Sequence, residues 1–447
     1  MKKRIGILIG LLALNYTLAQ SIDRVAVTVY NNNLGVVKEN RTIPLEKGQS
    51  SIAITDVARL IDPTSVHIKL DANVLEQNYQ YDLVGMDKIL QKYIDKDIRL
   101  INGKGELIEG KLLSAQAGQI VIEKTGGGLI MLPNLSEYRI SVESLPEGLI
   151  TKPTLVWLVN SSVKGNQKAE VSYQTSGMSW HAEYVAVLNE DDSKLDLNSW
   201  VSIENNSGAT YNNAGIKLMA GDVNLVRQRQ PEYALYSKRA EMAAESQFEE
   251  KEFFEYHIYN LTRPSTLVNN ETKQISLFEA DGIKATKKYT YSGRYGRSSK
   301  GKVAVTVEFE NSEKNSLGVP FPKGKIRVYK ADEKTVEFIG EDLIDHTPKN
   351  ELIKLKIGDA FDIIAEETET KREKISDRVH EVTTEIKIKN HKSEKVKVEV
   401  EKYFGNSWKI KNSSIEPYKK NSTTAYFDIP VEANGETILE FTVRYTY

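Results

Sequence analysis

Six histidines are candidates for metal ligation: His67, His181, His257, His346, His380 and His391. None has the i, i+4 partner of a helical zinc site, and no His-Glu-x-x-His occurs. His181 and Glu183 stand two apart, so on a strand both project from one face and could supply two metal ligands. The same spacing also makes an ordinary polar face opposite Trp180, and that reading is preferred. Gly177-Met178-Ser179-Trp180-His181 has the outline of a nucleophile elbow. Its closing glycine is missing, and the run alternates as a strand instead of turning into a helix. Gly126-Gly127-Gly128 lacks the Gly-Lys-Ser/Thr that follows in a phosphate loop, and a hairpin turn fits it better. Asp191 and Asp192 fall between strand patterns and suit a turn, not a calcium loop. Carboxylates are abundant, but a hydrolytic pair is defined by a separation in space that spacing along the chain does not fix. Cysteine is absent, which removes thiolate catalysis, disulfides and cysteine metal sites. No catalytic residue, metal site or cofactor is assigned.

The N-terminus carries more information. Lys2, Lys3 and Arg4 precede an apolar run from Ile5 to Leu14, and Thr17-Leu18-Ala19 offers small residues before Gln20. This is the layout of a secretory signal peptide, residues 1–19, with cleavage after Ala19. The apolar run is too short to span a bilayer, which takes about 20 residues, so no transmembrane span is expected after cleavage. The leader has a bacterial look, and no cysteine follows it to make a lipoprotein. The periplasm is the expected location, with the cell surface or the medium second. The formal charge of −2 becomes −5 once the three leader cations are removed. That gives no reason to expect nucleic acid, which needs clustered positive charge.

Behind the leader the chain reads as all-β, mainly antiparallel. Val25, Val27 and Val29 alternate with more polar neighbours, and Asn31-Asn32-Asn33 makes the turn. Residues 20–86 form an N-terminal β domain. In 87–146, Met86, Ile89, Leu90 and Tyr93 at helical spacing lead into five short strands, the pattern of a small SH3- or Sm-like barrel insertion. Residues 147–231 read as an immunoglobulin-like β-sandwich, with Met178, Trp180, Ala182 and Tyr184 on one strand face. A second sandwich region occupies 257–447. Three alternating strands end in asparagine-led turns, at Asn205, Asn311 and Asn390, as expected of antiparallel sheets with one wet face. The 232–256 stretch between them, with no glycine or proline through Glu255, reads as a short helical or flexible linker. Phe441, Val443, Tyr445 and Tyr447 alternate as a last sandwich strand, in preference to a membrane-barrel strand.

Several stretches resemble one bacterial family. Val27-Thr28-Val29-Tyr30-Asn31-Asn32-Asn33-Leu34 and Asp62-Pro63-Thr64-Ser65-Val66 resemble the N-terminal domain of mucoidy inhibitor A-like proteins. Leu197 to Val223, Phe254 to Tyr259, Gly318 to Pro322, Gly340-Glu341-Asp342 and Asp345-His346-Thr347-Pro348 resemble that family's C-terminal domain of unknown function 4139. The resemblance implies an effect on exopolysaccharide or capsule, and it brings no catalytic residues. Long coiled-coil insertions occur in some relatives, whereas this chain carries the 87–146 segment.

The expectation is an exported cell-envelope protein that binds or scaffolds without catalysis, with an envelope protein or polysaccharide as partner. The alternatives are a carboxylate-dependent hydrolase of glycan or peptide, and a surface adhesin or assembly subunit. Trp157, Trp180 and Trp200 lie in apolar strand patterns and are expected to be buried. Trp408 follows the turn Gly405-Asn406-Ser407 and is the one residue named for ligand binding; its alternative is to start a strand and pack inward.

Overall fold

The computed structural model describes residues 16–18, 21–221, 223, 248–253, 256–293, 299–332, 335–405, 407–419 and 421–446. Most of the expected leader, with its cleavage point, lies outside the described residues, as do 232–247 of the expected linker. The chain divides into two compact units. Unit 1 is 1–179, 204–217 and 263–271, and unit 2 is 180–203, 218–262 and 272–447.

The elements run in chain order. They begin with β1 (Tyr16–Leu18), β2 (Ser21–Tyr30), β3 (Gly35–Leu45), β4 (Gly48–Ile54), β5 (His67–Lys69), β6 (Asn73–Gln80) and α1 (Met86–Lys92). Next come β7 (Asp97–Asn102), β8 (Leu107–Gln116), β9 (Gln119–Lys124), β10 (Leu129–Leu132), β11 (Tyr138–Ser141), β12 (Thr154–Ser161) and β13 (Gly165–Thr175). The middle of the chain gives β14 (Met178–Leu188), β15 (Lys194–Asn205), β16 (Tyr211–Ala220), β17 (Phe248–Phe253), β18 (Tyr256–Leu261), β19 (Ser265–Leu267) and β20 (Glu271–Gly293). Then follow β21 (Ser299–Glu310), β22 (Gly324–Asp332), β23 (Thr335–Ile344), β24 (Leu352–Ser376), β25 (Val379–Asn390) and β26 (Val396–Tyr403). The chain closes with β27 (Trp408–Ser413), β28 (Tyr418–Lys419), β29 (Thr424–Val431) and β30 (Glu436–Thr446). The fold is all-β, with α1 the one α-helix among the described residues.

In unit 1, the order β1-β4-β12-β6 makes a four-stranded sheet, and β16, β2, β3, β13 and β5 lie side by side in another. Their apolar residues alternate inward: Val25, Val27, Val29, Val37 and Ile43 from one, Ile52, Ile54, Trp157 and Val159 from the other, all nearly sealed from water. Residues 86–142 add α1 and the sheet β10-β9-β8-β7-β11, with a core of their own. Leu112 and Ile120 are buried in it. Gly126, Gly127 and Gly128 all take positive φ in the turn between β9 and β10, a conformation that costs glycine little.

In unit 2 the sheet runs β23-β22-β14-β15-β20-β21-β24-β25-β30-β27, with β26, β28 and β29 off that path. Two apolar clusters sit on it. One gathers Tyr184, Leu195, Leu197, Phe309, Phe321 and Ile326; the other gathers Ile386, Val398, Phe427, Leu439 and Phe441. β30 lies between β25 and β27 and buries Phe441, Val443 and Tyr445.

The expected linker needs a correction. Phe248–Phe253 is a strand, paired antiparallel with Tyr256–Leu261 from Phe248↔Leu261 to Phe253↔Tyr256. Glutamate and lysine favour helix only weakly, and a cross-strand partner overrides that preference.

The asparagine-led turns are held by buried side chains. The Asn390 amide donates to the carbonyls of Glu394, Val431 and Glu432, and its oxygen accepts from the Lys392 N–H. The Asn311 amide donates to Val319 and Pro348, and its oxygen accepts from Gly318. The Asn205 amide donates to Ala209, Leu267 and Val268. Each clamp ties its own turn to a segment distant in the sequence and supplies donors to backbone carbonyls there.

Candidate functional site

Strand parity builds the site in unit 2. Along β14, Trp180, Ala182 and Tyr184 point into the core, so His181 and Glu183 point out. Along β15, Leu195, Leu197, Val201 and Ile203 are buried, so Trp200 and Asn198 point the other way. The β14–β15 hairpin is closed by the Asn189 N–H donating to the Lys194 carbonyl at 2.9 Å. At its far end the Ser179 hydroxyl donates to Glu204 at 3.2 Å. Both contacts belong to one antiparallel register, which sets Glu183 opposite Trp200 and His181 opposite Ser202. Parallel pairing of β14 with β22 puts Lys325 beside Glu183 and Arg327 beside Val185. β23 then sets Glu341 beside Arg327, Leu343 beside Lys325 and Phe338 beside Tyr329.

Glu183 is the hub. One carboxylate oxygen lies 3.3 Å from His181 Nε2, and the other accepts from Gln274 at 3.3 Å and from Arg327 at 3.4 Å. Gln274 also donates to the Ser202 hydroxyl at 3.1 Å. Arg327 Nε reaches Glu341 at 3.7 Å, and Lys325 reaches the same carboxylate at 3.2 Å. These contacts are longer than the 2.7–2.9 Å of a strong charge-assisted bond; His181, Glu183, Arg327 and Glu341 keep contact with water, whereas Ser202 is buried. Beside them Trp200 is 41% exposed, and Phe338 and Leu343 are 54% and 75% exposed. The result is a broad sheet face with flat apolar surface next to polar groups in fixed positions.

The four tryptophans correct the expectation in part. Trp157 and Trp180 are sealed in the cores, their ring N–H groups donating to Gln77 and to the Met219 carbonyl. Trp200 is the exposed one, because parity places it on the outer face in spite of its apolar neighbours. Trp408 opens β27 half-buried: its ring lies 4.8 Å from that of Phe404, and its N–H donates to the Ser422 carbonyl at 2.9 Å. It lies far along the sheet order from the Glu183 face.

A second region of unit 2 is a polar cleft of about 720 Å³ whose lining includes Asp192, Lys287, Tyr289, Lys397, Glu399 and Tyr418. Asp192, in the β14–β15 turn, takes Lys287 and Lys330 together. Burial pushes the Asp192 carboxyl up, but hydrogen bonds and charge from the two lysines outweigh it and hold the group below its ordinary value. Glu399 and Asp428 face each other across β26 and β29. The Tyr418 hydroxyl donates to Glu399 at 2.5 Å and lies 3.4 Å from Asp428, while Lys397 pairs with Asp428 at 2.9 Å. Burial, with these carboxylates, pushes the Tyr418 phenol up. This carboxylate pair could not be found by spacing, since its members are joined only by strand pairing.

The Ser179 hydroxyl donates to Glu204, and His181 turns to Glu183. Among the described residues no cluster of three or more metal-ligating side chains occurs, and no helix is long and apolar enough to cross a membrane.

Fold and site together define an all-β protein of sandwich type with an open, polar and aromatic sheet face. A family model described as a domain of unknown function (DUF4139) matches residues 169–447. The match spans more than half of the chain, and the protein belongs to that family. It covers all of the Glu183 face. No curated protein matches the sequence.

Proposed function

We propose that this is an exported cell-envelope protein that works without catalysis, by binding surface polysaccharide on the face formed by β14, β15, β20 and β22. The observation that carries this reading is Trp200, exposed on a rigid strand directly across from Glu183. An aromatic ring on a sheet offers a sugar a flat apolar contact at little entropic cost. Glu183, Gln274, His181 and Arg327 offer acceptors and donors for its hydroxyls, already held in place by one another. The leader of residues 1–19 and the resemblance to mucoidy inhibitor A-like proteins support the same reading. Both point to a protein that works outside the cytoplasm, in the periplasm first or at the cell surface, where polysaccharide is handled.

Binding of polysaccharide extracted from the producing cells, followed by tryptophan fluorescence of the protein, tests the proposal. Saturable quenching is expected, and it should disappear in Gln274→Ala together with Arg327→Ala. A protein that stays folded and gives no saturable signal with any envelope polysaccharide would refute it.

A further inference from the structure

The four-stranded sheet of unit 1 has an edge whose occupant is temporary. β1 runs parallel to β4, with Tyr16 opposite Ser51, Thr17 opposite Ile52 and Leu18 opposite Ala53. It is the outermost strand, in the order β1-β4-β12-β6. Residues 16–18 belong to the segment read as the export leader, and the inference rests on that reading. Cleavage after Ala19 removes β1 and leaves Gln20 as the first residue, immediately before β2.

Nothing upstream of β2 then remains to refill the place. A hairpin from the new N-terminus cannot fill it either, because a parallel neighbour in the same chain needs a crossover of about a dozen residues. β2 itself is committed to β3, from Ser21↔Thr42 to Val29↔Gly35.

The uncovered edge is unguarded. Natural edge strands are blunted by lysine, proline, bulges or brevity. β4 reads Gly-Gln-Ser-Ser-Ile-Ala-Ile, seven residues without a charge or a proline. On its other side it pairs with β12 from Leu155↔Ile54 to Ser161↔Gly48 with no register shift. Ile52, Ala53 and Ile54 are anchored in the core. β4 is therefore held straight, with a row of N–H and C=O groups turned outward, the condition for strand addition.

We propose that in the mature protein the outer edge of β4 receives an uncharged, extended segment of a partner polypeptide, running parallel to β4 in the position β1 occupies. Main-chain hydrogen bonds supply the attraction. The neutrality of β4 sets the chemistry of the partner, since a charged side chain laid along Ser51–Ile54 would find no counter-charge on that strand. Residues 16–18, which pair there in the precursor, are the template for such a partner.

The test uses the mature chain, residues 20–447, and a synthetic peptide of residues 12–19, with a scrambled peptide of the same composition as control. Hydrogen exchange is read at the β4 amides that face away from β12. They should exchange fast in the protein alone and slow by at least about tenfold with the peptide but not with the scrambled one. Protection already present without peptide at every protein concentration, or equal effects of the two peptides, would overturn the proposal. Protection that vanishes on dilution would assign the edge to a second copy of this chain and overturn the partner assignment. The mass of the protein recovered from cells reads the export step separately. A retained 1–19 segment would contradict the leader reading, whatever the peptide does to residues 20–447.

Discussion

Arg41 and Arg327 each project from a strand toward two carboxylates, and their surroundings are opposite. Arg41 is 1% exposed; its Nε and Nη2 donate to Glu39 at 2.8 and 2.6 Å, and Nη2 reaches Asp56 at 2.8 Å. The Tyr173 hydroxyl lies 3.4 Å from the other Glu39 oxygen. Arg327 is 34% exposed and meets Glu183 and Glu341 at 3.4 and 3.7 Å. In the first region the bonds are short and the Arg41–Glu39 pair is buried beside Tyr173, with Asp56 at its exposed rim. Burial pushes the Glu39 carboxyl above its ordinary value even with Arg41 beside it. In the second region the bonds are long, water has access, and donors keep spare capacity. Pairing of charges alone therefore does not distinguish the two regions; what separates them is burial and bond length.

The comparison can be broken most forcefully at Arg41. Arg41→Ala leaves Glu39 buried without its partner and should cost about 3–5 kcal/mol of unfolding free energy, read from the denaturation midpoint. Next is Asn390→Ala, which strips partners from buried loop carbonyls and should cost about 1–3 kcal/mol. Arg41's neighbourhood also has an alkaline signature. Burial, the largest influence, pushes the Tyr211 phenol up to about 12. Its folded value lies above its unfolded value of about 10, so its contribution is complete below pH 10. It should be lost as pH rises from about 10 to about 12. Phenolate absorbance and stability measured together should show late ionisation and falling stability over that range. The smallest effect is expected at the open region: Arg327→Ala should change stability by no more than about 1 kcal/mol. An equal cost at Arg41 and Arg327 would erase the distinction.

Much of the fold is legible in the sequence, because half-buried strands print their parity directly. Val25-Val27-Val29 and Phe441-Val443-Tyr445 are examples. The same parity should have turned Trp200 outward, since Leu195, Leu197, Val201 and Ile203 all carry odd numbers. Grouping it with its apolar neighbours hid this. The rest of the site was beyond reach of spacing. Arg327 is 144 residues from Glu183 and Gln274 is 91, and they meet only through sheet order. Asn205, Asn311 and Asn390 read correctly as turn residues, but their clamping of remote loops depends on burial. Phe248–Phe253 has a helix-compatible composition, and only the partner strand Tyr256–Leu261 decides its form.

The central claim is that the Glu183 face, and not the aromatic cluster around Trp408, binds polysaccharide. Trp200→Ala and Trp408→Ala, measured side by side for stability and for affinity, test it most directly. Trp200→Ala should leave stability within about 0.5 kcal/mol of the parent and lower affinity at least about tenfold, the loss of a central aromatic anchor. Trp408→Ala should lower stability by about 1–3 kcal/mol, less than a fully buried tryptophan would, and leave affinity unchanged in the folded protein. Unchanged affinity in Trp200→Ala, with loss in Trp408→Ala, would contradict the account.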